Sequence, residues 1–230
     1  MLNRWLAWAA TCGLVILLAA PSAPAFPSDD KWTREIVLRG APMTKRLAVA
    51  IDVTGSMDGE PHEKAARELL TIAGLFPDDG LLKVWGFRTA SVVAPGSSGL
   101  GPCVAHAIPW REDWTKLPDG EAIDELSHWL ATTGCGGNTD LTAGVGAALA
   151  ADGDDLSVVL VSDGEQDGDA SERDTAVAAI VAAARKRGVC IHTIAVCANP
   201  KSDGIPLMAA IARETGGACI VWRADKREAR

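Results

Sequence analysis

Short β-branched apolar runs alternate along this chain with longer stretches in which apolar residues recur at helical spacing. Residues 46–51 (Arg-Leu-Ala-Val-Ala-Ile) show no polar alternation beyond the first position and read as a strand buried on both faces. Residues 61–75 follow as a helix. Pro61 suits its first turn, where a missing N–H breaks no bond, and Ala65, Leu69, Ile72 and Leu75, with Ala66 and Leu70, share one face. A second strand is expected over 81–87, and a short strand over 90–94 returning beside it. Helices are expected over 119–131, on the stripe Ile123, Leu126 and Leu130, and over about 140–151. Residues 156–161 (Leu-Ser-Val-Val-Leu-Val) form another near-continuous apolar strand. The Ala-rich run 170–187 ends in Arg185-Lys186-Arg187-Gly188, basic residues and a glycine that suit a helix C-terminus. A strand at 189–196, a helix at about 205–215 and a strand at 218–222 complete the series.

Apolar strands separated by helices predict an α/β fold, a Rossmann-like three-layer sandwich. Its central sheet is expected to be mostly parallel, with about six strands and helices on both faces. The alternation runs as one series over 45–225, so one domain is expected. Residues 26–44 read as a polar lead-in, with an extra edge strand at 33–38. Residues 95–118 break the regularity. They hold Gly96, Gly99, Gly101, Cys103, Trp110 and Trp114 and read as an extended loop, a length usually tied to function.

The N-terminus changes the picture of where the protein works. Arg4 precedes a mostly apolar run over 6–20, then Pro21 and the small-residue site Ala23-Pro24-Ala25. This reads as a signal peptide, residues 1–25, cleaved near Ala25; the run is shorter than the ~20 residues a membrane span needs. A secreted or periplasmic protein with no stable membrane anchor is expected. Removing 25 of the 230 residues leaves 205, and losing Arg4 takes the net charge from −8 to −9. Such acidity disfavours nucleic acid or an anionic membrane as partner. Five of the six cysteines remain, an odd count, and no two have C-x-x-C spacing. An oxidising compartment favours disulfides, with Cys103–Cys135 the preferred pair.

Candidate chemistry lies where the strands end, since ligands of open α/β sheets bind outside the strands' carboxyl ends. Asp52-Val53-Thr54-Gly55-Ser56-Met57 follows the first strand, and Ser162-Asp163-Gly164-Glu165 follows the 156–161 strand. Gly136-Gly137-Asn138-Thr139-Asp140 precedes the 140–151 helix. Together Asp52, Thr54, Ser56, Thr139 and Asp163 offer two carboxylates and three hydroxyls, a donor set for a hard divalent cation; without His or thiolate it argues against zinc or copper. Gly55, Gly136, Gly137 and Gly164 are expected to let the backbone approach the ion.

These segments resemble the von Willebrand factor type A family. Asp52-x-Thr54-Gly55-Ser56 looks like its D-x-S/T-x-S signature, with Thr where many members have Ser. Gly-Gly-Asn-Thr139-Asp-Leu is similar to the segment carrying its metal-site threonine, and Val-Leu-Val-Ser-Asp163-Gly-Glu to the one carrying its metal-site aspartate. The likeness spans roughly 46–222. It implies a metal-ion-dependent adhesion site: Ser56 and Thr54 bind through hydroxyls, Thr139 binds directly or through water, and Asp52 and Asp163 act mostly through water and by orienting hydroxyls. It implies one divalent cation, Mg²⁺ first and Ca²⁺ or Mn²⁺ as alternatives. It further implies a protein partner whose Asp or Glu carboxylate completes the octahedron, at ~2.0–2.1 Å if the ion is Mg²⁺. No catalysis is expected.

Other readings compete. Asp52 and Asp163 are common residue types at helix caps and turns. Phosphoryl transfer of the haloacid-dehalogenase type needs D-x-D-x-T, and Thr54 stands where its second acid belongs. An EF-hand-like loop from Asp163 through Glu165, Asp167, Gly168 and Asp174 is off-pattern at its third and twelfth positions. Glu165, Asp167 and Asp169 otherwise read as a solvated acidic rim. His62, His106, His128 and His192 are scattered, and Trp85, Trp129 and Trp222 read as core. A metal-dependent hydrolase or phosphatase, and an assembly module with metal-independent binding, stand as alternative functions.

Overall fold

Strand β1 (Arg46–Asp52) is buried along nearly its whole length, which puts it at the centre of the sheet. The computed structural model describes residues 44–76, 79–91, 103–197 and 204–223. The expected signal peptide, the 33–38 strand and nearly all of the lead-in lie outside them. After β1 come a 3₁₀ turn (Gly55–Met57), α1 (Glu60–Leu75), β2 (Gly80–Ser91), β3 (Cys103–Pro109) and β4 (Thr115–Leu117). Then follow α2 (Gly120–Thr133), α3 (Leu141–Ala150), β5 (Leu156–Ser162), α4 (Ala170–Arg187), β6 (Ile191–Cys197), α5 (Gly204–Thr215) and β7 (Cys219–Arg223).

The seven strands form one sheet in the order β3-β2-β1-β5-β6-β7, with β4 also on β2. β2, β1, β5, β6 and β7 run parallel, while β3 and β4 pair antiparallel with β2. The fold is therefore the expected α/β three-layer sandwich, with one strand more than six. Alternation along β1 sorts two cores. Leu47, Val49 and Ile51 face a layer that includes Leu69 and Ile72 of α1 and Leu126 and Leu130 of α2. Ala48 and Ala50 face Leu141 and Val145 of α3, Ile180 of α4, and Met208 and Ile211 of α5. Among the described residues no helix is long and apolar enough to cross a membrane.

Expectations about the 90–94 strand, the 95–118 loop and Leu75 are corrected. Residues 90 and 91 extend β2 rather than start a return strand, and 92–94 lie outside the described residues. The strand that does return is β3, inside the stretch expected to be an extended loop, and β4 follows it there. Trp110, at the end of β3, is buried in the first core. Trp114 packs on the second core and donates its indole N–H to Asp152 at 2.8 Å. Leu75 is exposed; Phe76, one residue beyond α1, takes the buried place. Cys135 is a free thiol, and the side chain of Cys103, its expected partner, lies outside those described.

Candidate metal centre

The chain leaves β1 towards β2 on one side of the sheet and later returns to β5 on the other, so β1 and β5 flank the point where the strand order reverses. Open α/β sheets form their ligand crevice at such a point. Asp52 ends β1 and Ser162 ends β5, which brings the Asp52–Ser56 and Ser162–Asp167 segments together there. Thr139, just before α3, joins them.

The three hydroxyls form a chain. Thr54 Oγ1 lies 3.2 Å from Ser56 Oγ, and Thr139 Oγ1 donates to Thr54 Oγ1 at 3.1 Å. Thr54 and Thr139 are buried and Ser56 is exposed, so the chain opens to solvent at Ser56. Asp52 lies beneath, fully buried. Its Oδ1 accepts from the Thr54 backbone N–H at 2.9 Å and its Oδ2 from the Ser162 hydroxyl at 2.6 Å. Burial pushes the Asp52 carboxyl up to about 6; the hydrogen bonds from Ser162 and Thr54 pull the other way, and the charge of Asp163 adds to the rise. Asp163 is also buried, and its Oδ1 accepts from the Glu165 N–H at 2.9 Å.

All five expected residues thus gather at one sheet edge. Ser162 was not among them, although its hydroxyl ties Asp52 to β5 and also accepts from the Gly164 N–H at 2.9 Å. Its signal in the sequence is a hydroxyl directly before the Asp-Gly turn. Of the reading of Asp52 and Asp163 as caps of helices and turns, the turn part holds, since each accepts from an N–H two residues on in a local turn. The caps of α2, α3 and α4 are Asp119, Asp140 and Asp169. Asp169, expected in an acidic rim, forms a capping box with Glu172.

The Thr139 loop is tied to its neighbours at each residue. Gly136 donates to Val53 O at 2.9 Å, and Gly137 O accepts from the Gly55 N–H at 3.1 Å. Asn138 O accepts from the Thr89 N–H at 2.8 Å, and the Asn138 N–H donates to Thr89 Oγ1 at 3.0 Å. Gly137 and Gly164 are glycines because of the protein itself. At φ +78 a Cβ on Gly137 would sit 1.9 Å from Thr89 O, and at φ +77 one on Gly164 would sit 2.5 Å from Gly204 O. Gly136 has no protein neighbour within 4 Å of such a Cβ.

The donor set fits a hard cation. Bonds of about 2.0–2.1 Å to Mg²⁺ put neighbouring octahedral oxygens about 2.9 Å apart, and the longer Ca²⁺ bonds put them about 3.3 Å apart or more. The observed 3.1 and 3.2 Å lie between. The thiol at this edge, Cys135, is pushed up to about 11 by burial and by the charges of Asp58 and Asp52, so in the metal-free protein it stays protonated at neutral pH. Among the described residues no group of three or more His, Cys, Asp or Glu side chains is placed to hold a metal; the candidate centre is built on hydroxyls.

No family model and no curated protein matches this sequence. Among solved structures, the chain is similar to the three N-terminal domains of the type V pili tip protein Mfa5 from Porphyromonas gingivalis, with a TM-score of 0.50 and 10% identity. The likeness covers 76% of this chain and 46% of that one, so this chain spans less than half of the pilus protein's chain. At that identity the likeness is one of fold.

Proposed function

We propose that this protein is a secreted binding module that captures an acidic partner residue at a divalent cation. The observation that carries the reading is the Ser56–Thr54–Thr139 hydroxyl chain, which brings three neutral oxygens together beyond β1 and opens to solvent at Ser56. The order and spacing of the motifs, which resemble those of von Willebrand factor type A domains, support it. Thr54, Ser56 and Thr139 hold the ion through oxygen, and Asp52 and Asp163 orient those hydroxyls and the water around them. A bound cation supplies a Lewis-acidic position for a carboxylate oxygen. Neutral hydroxyls leave that position electron-poor, so an Asp or Glu of the partner binds better than a neutral side chain. Mg²⁺ is the expected ion, with Ca²⁺ or Mn²⁺ as substitutes.

The test is capture of a partner from native extract by the purified protein, in Mg²⁺ and again in EDTA. A partner retained with Mg²⁺, released by EDTA and missed by Asp52→Ala supports the proposal. A partner indifferent to EDTA contradicts it and moves the interface away from Ser56 and Thr139, to a metal-independent assembly surface.

A further inference from the structure

Thr139 is the one hydroxyl of the set that reaches the centre from neither β1 nor β5. Its hydroxyl bonds to Thr54, so its backbone must be held at a fixed distance from β1. The residues before it are fixed by β1 and β2, as described above, but its own backbone is held by a different segment. The Thr139 N–H donates to Asp167 Oδ2 at 2.7 Å. Thr139 O accepts from Gln166 Nε2 at 3.1 Å and from the Asp167 N–H at 3.3 Å. Gln166 reaches further, since its Oε1 accepts from the Leu141 N–H at 2.8 Å. Leu141 opens α3, so that N–H has no acceptor within the helix. A carbonyl on one side and an N–H on the other fix which end of the Gln166 amide is which.

We propose that Gln166 and Asp167 are positioning residues that clamp the Thr139 backbone and so hold its hydroxyl at the metal centre. The proposal rests on the metal-site reading of Thr54, Ser56 and Thr139. It gives Asp167 a geometric role. An exposed carboxylate near a cation site invites the simpler view that its charge attracts the ion, and the two roles make opposite predictions. Asp167→Asn removes the charge and keeps a carbonyl oxygen in place to accept from the Thr139 N–H. Asp167→Ala removes both. Gln166→Glu keeps an acceptor for Leu141 and loses the donor to Thr139 O.

The experiment combines calorimetric Mg²⁺ titration with amide hydrogen exchange at Thr139 and Leu141 in the metal-free protein, on wild type and the variants Asp167→Ala, Asp167→Asn, Gln166→Ala and Gln166→Glu. Groups that orient metal ligands typically contribute 10–100-fold in affinity, so Asp167→Ala is expected to raise the Mg²⁺ Kd about 10-fold or more. It should also speed exchange at Thr139 before any metal is added. Asp167→Asn should stay close to wild type in both readouts. Gln166→Ala should speed exchange at Leu141, and Gln166→Glu should keep Leu141 protected while weakening Mg²⁺ binding. Equal loss of affinity in Asp167→Asn and Asp167→Ala, with unchanged exchange, would overturn the clamp in favour of charge attraction. Wild-type affinity in Asp167→Ala would overturn it outright and leave the metal site standing. If the wild type bound no Mg²⁺, the metal-site reading itself would fall, and the clamp's role with it.

Discussion

Asp52 is a carboxylate with no exposure to water, held between the Thr54 N–H and the Ser162 hydroxyl. Without a cation its ionised form is costly, which is why its pKa rises to about 6. A carboxyl whose folded pKa exceeds its unfolded value binds protons more tightly in the folded state. Its contribution to stability is then greatest at low pH and is lost as pH rises from about 4 to about 6. Asp52→Asn removes that cost, so the metal-free variant at pH 7 is expected to be more stable than wild type, by on the order of 2 kcal/mol. Urea unfolding in EDTA measures this, and adding Mg²⁺ should raise the midpoint of the wild type only. A variant less stable than wild type in EDTA would mean that the carboxylate is already compensated by the protein. Asp52, Thr54, Ser56, Thr139 and Asp163 were legible in the sequence because each directly follows a strand or precedes a helix in a short, ordered motif. Ser162 and Gln166 were not singled out, and Asp167 was read only as part of an off-pattern calcium loop or an acidic rim. Their partners are a buried carboxylate and backbone groups of a distant loop, and such bonds leave no spacing in the sequence.

Elements were legible where burial on both faces or a helical stripe imposes a period. Strands β1, β5 and β6 and helices α1, α4 and α5 begin and end within two residues of expectation. β3 was hidden because Cys-Val-Ala-His-Ala-Ile-Pro sits beside a Gly- and Pro-rich stretch and pairs at an edge, where no two-sided burial marks it. Caps make a prediction at this scale. Asp169→Ala should cost about 1 kcal/mol through the lost α4 cap, and the Mg²⁺ Kd should stay unchanged; a weakened Kd would return Asp169 to an acidic rim. His192, on β6, makes another. Its Nδ1 accepts from the Ala218 N–H at 3.1 Å, and burial lowers its pKa from the ordinary value of 6.5. A histidine with a depressed folded pKa contributes stability that is complete above the unfolded pKa and is lost as pH falls below about 6.5. Asp52 acts in the opposite sense over part of that range. Acid titration of stability should therefore be compared between wild type and His192→Gln, and the variant is expected to lose less on going from pH 7 to pH 5. Parallel curves would assign the acid sensitivity elsewhere.

At the scale of the whole molecule, the sheet order decides where a ligand is met. Helices cover both faces, and the strand reversal between β1 and β5 brings the buried Asp52 and Asp163 and the Ser56–Thr54–Thr139 hydroxyl chain to one edge of the sheet. A net charge of −8 adds a long-range field that draws cations and repels acidic partners. A partner that offers a carboxylate must therefore gain at the ion what it loses to the field. Its capture in Mg²⁺ is accordingly expected to strengthen as salt is raised from low to physiological levels, where such repulsion is screened. Binding assays across that range check this; steady weakening would point to a basic partner surface. The claim beneath all of this is that the hydroxyl chain holds a cation. Calorimetric titration of Mg²⁺ into the metal-free protein, beside Thr139→Val and Asp52→Ala, tests it most directly. The account predicts one saturable site in wild type, binding weakened in Thr139→Val and lost in Asp52→Ala. Absence of saturable binding in wild type, or an unchanged affinity in Asp52→Ala, would contradict it.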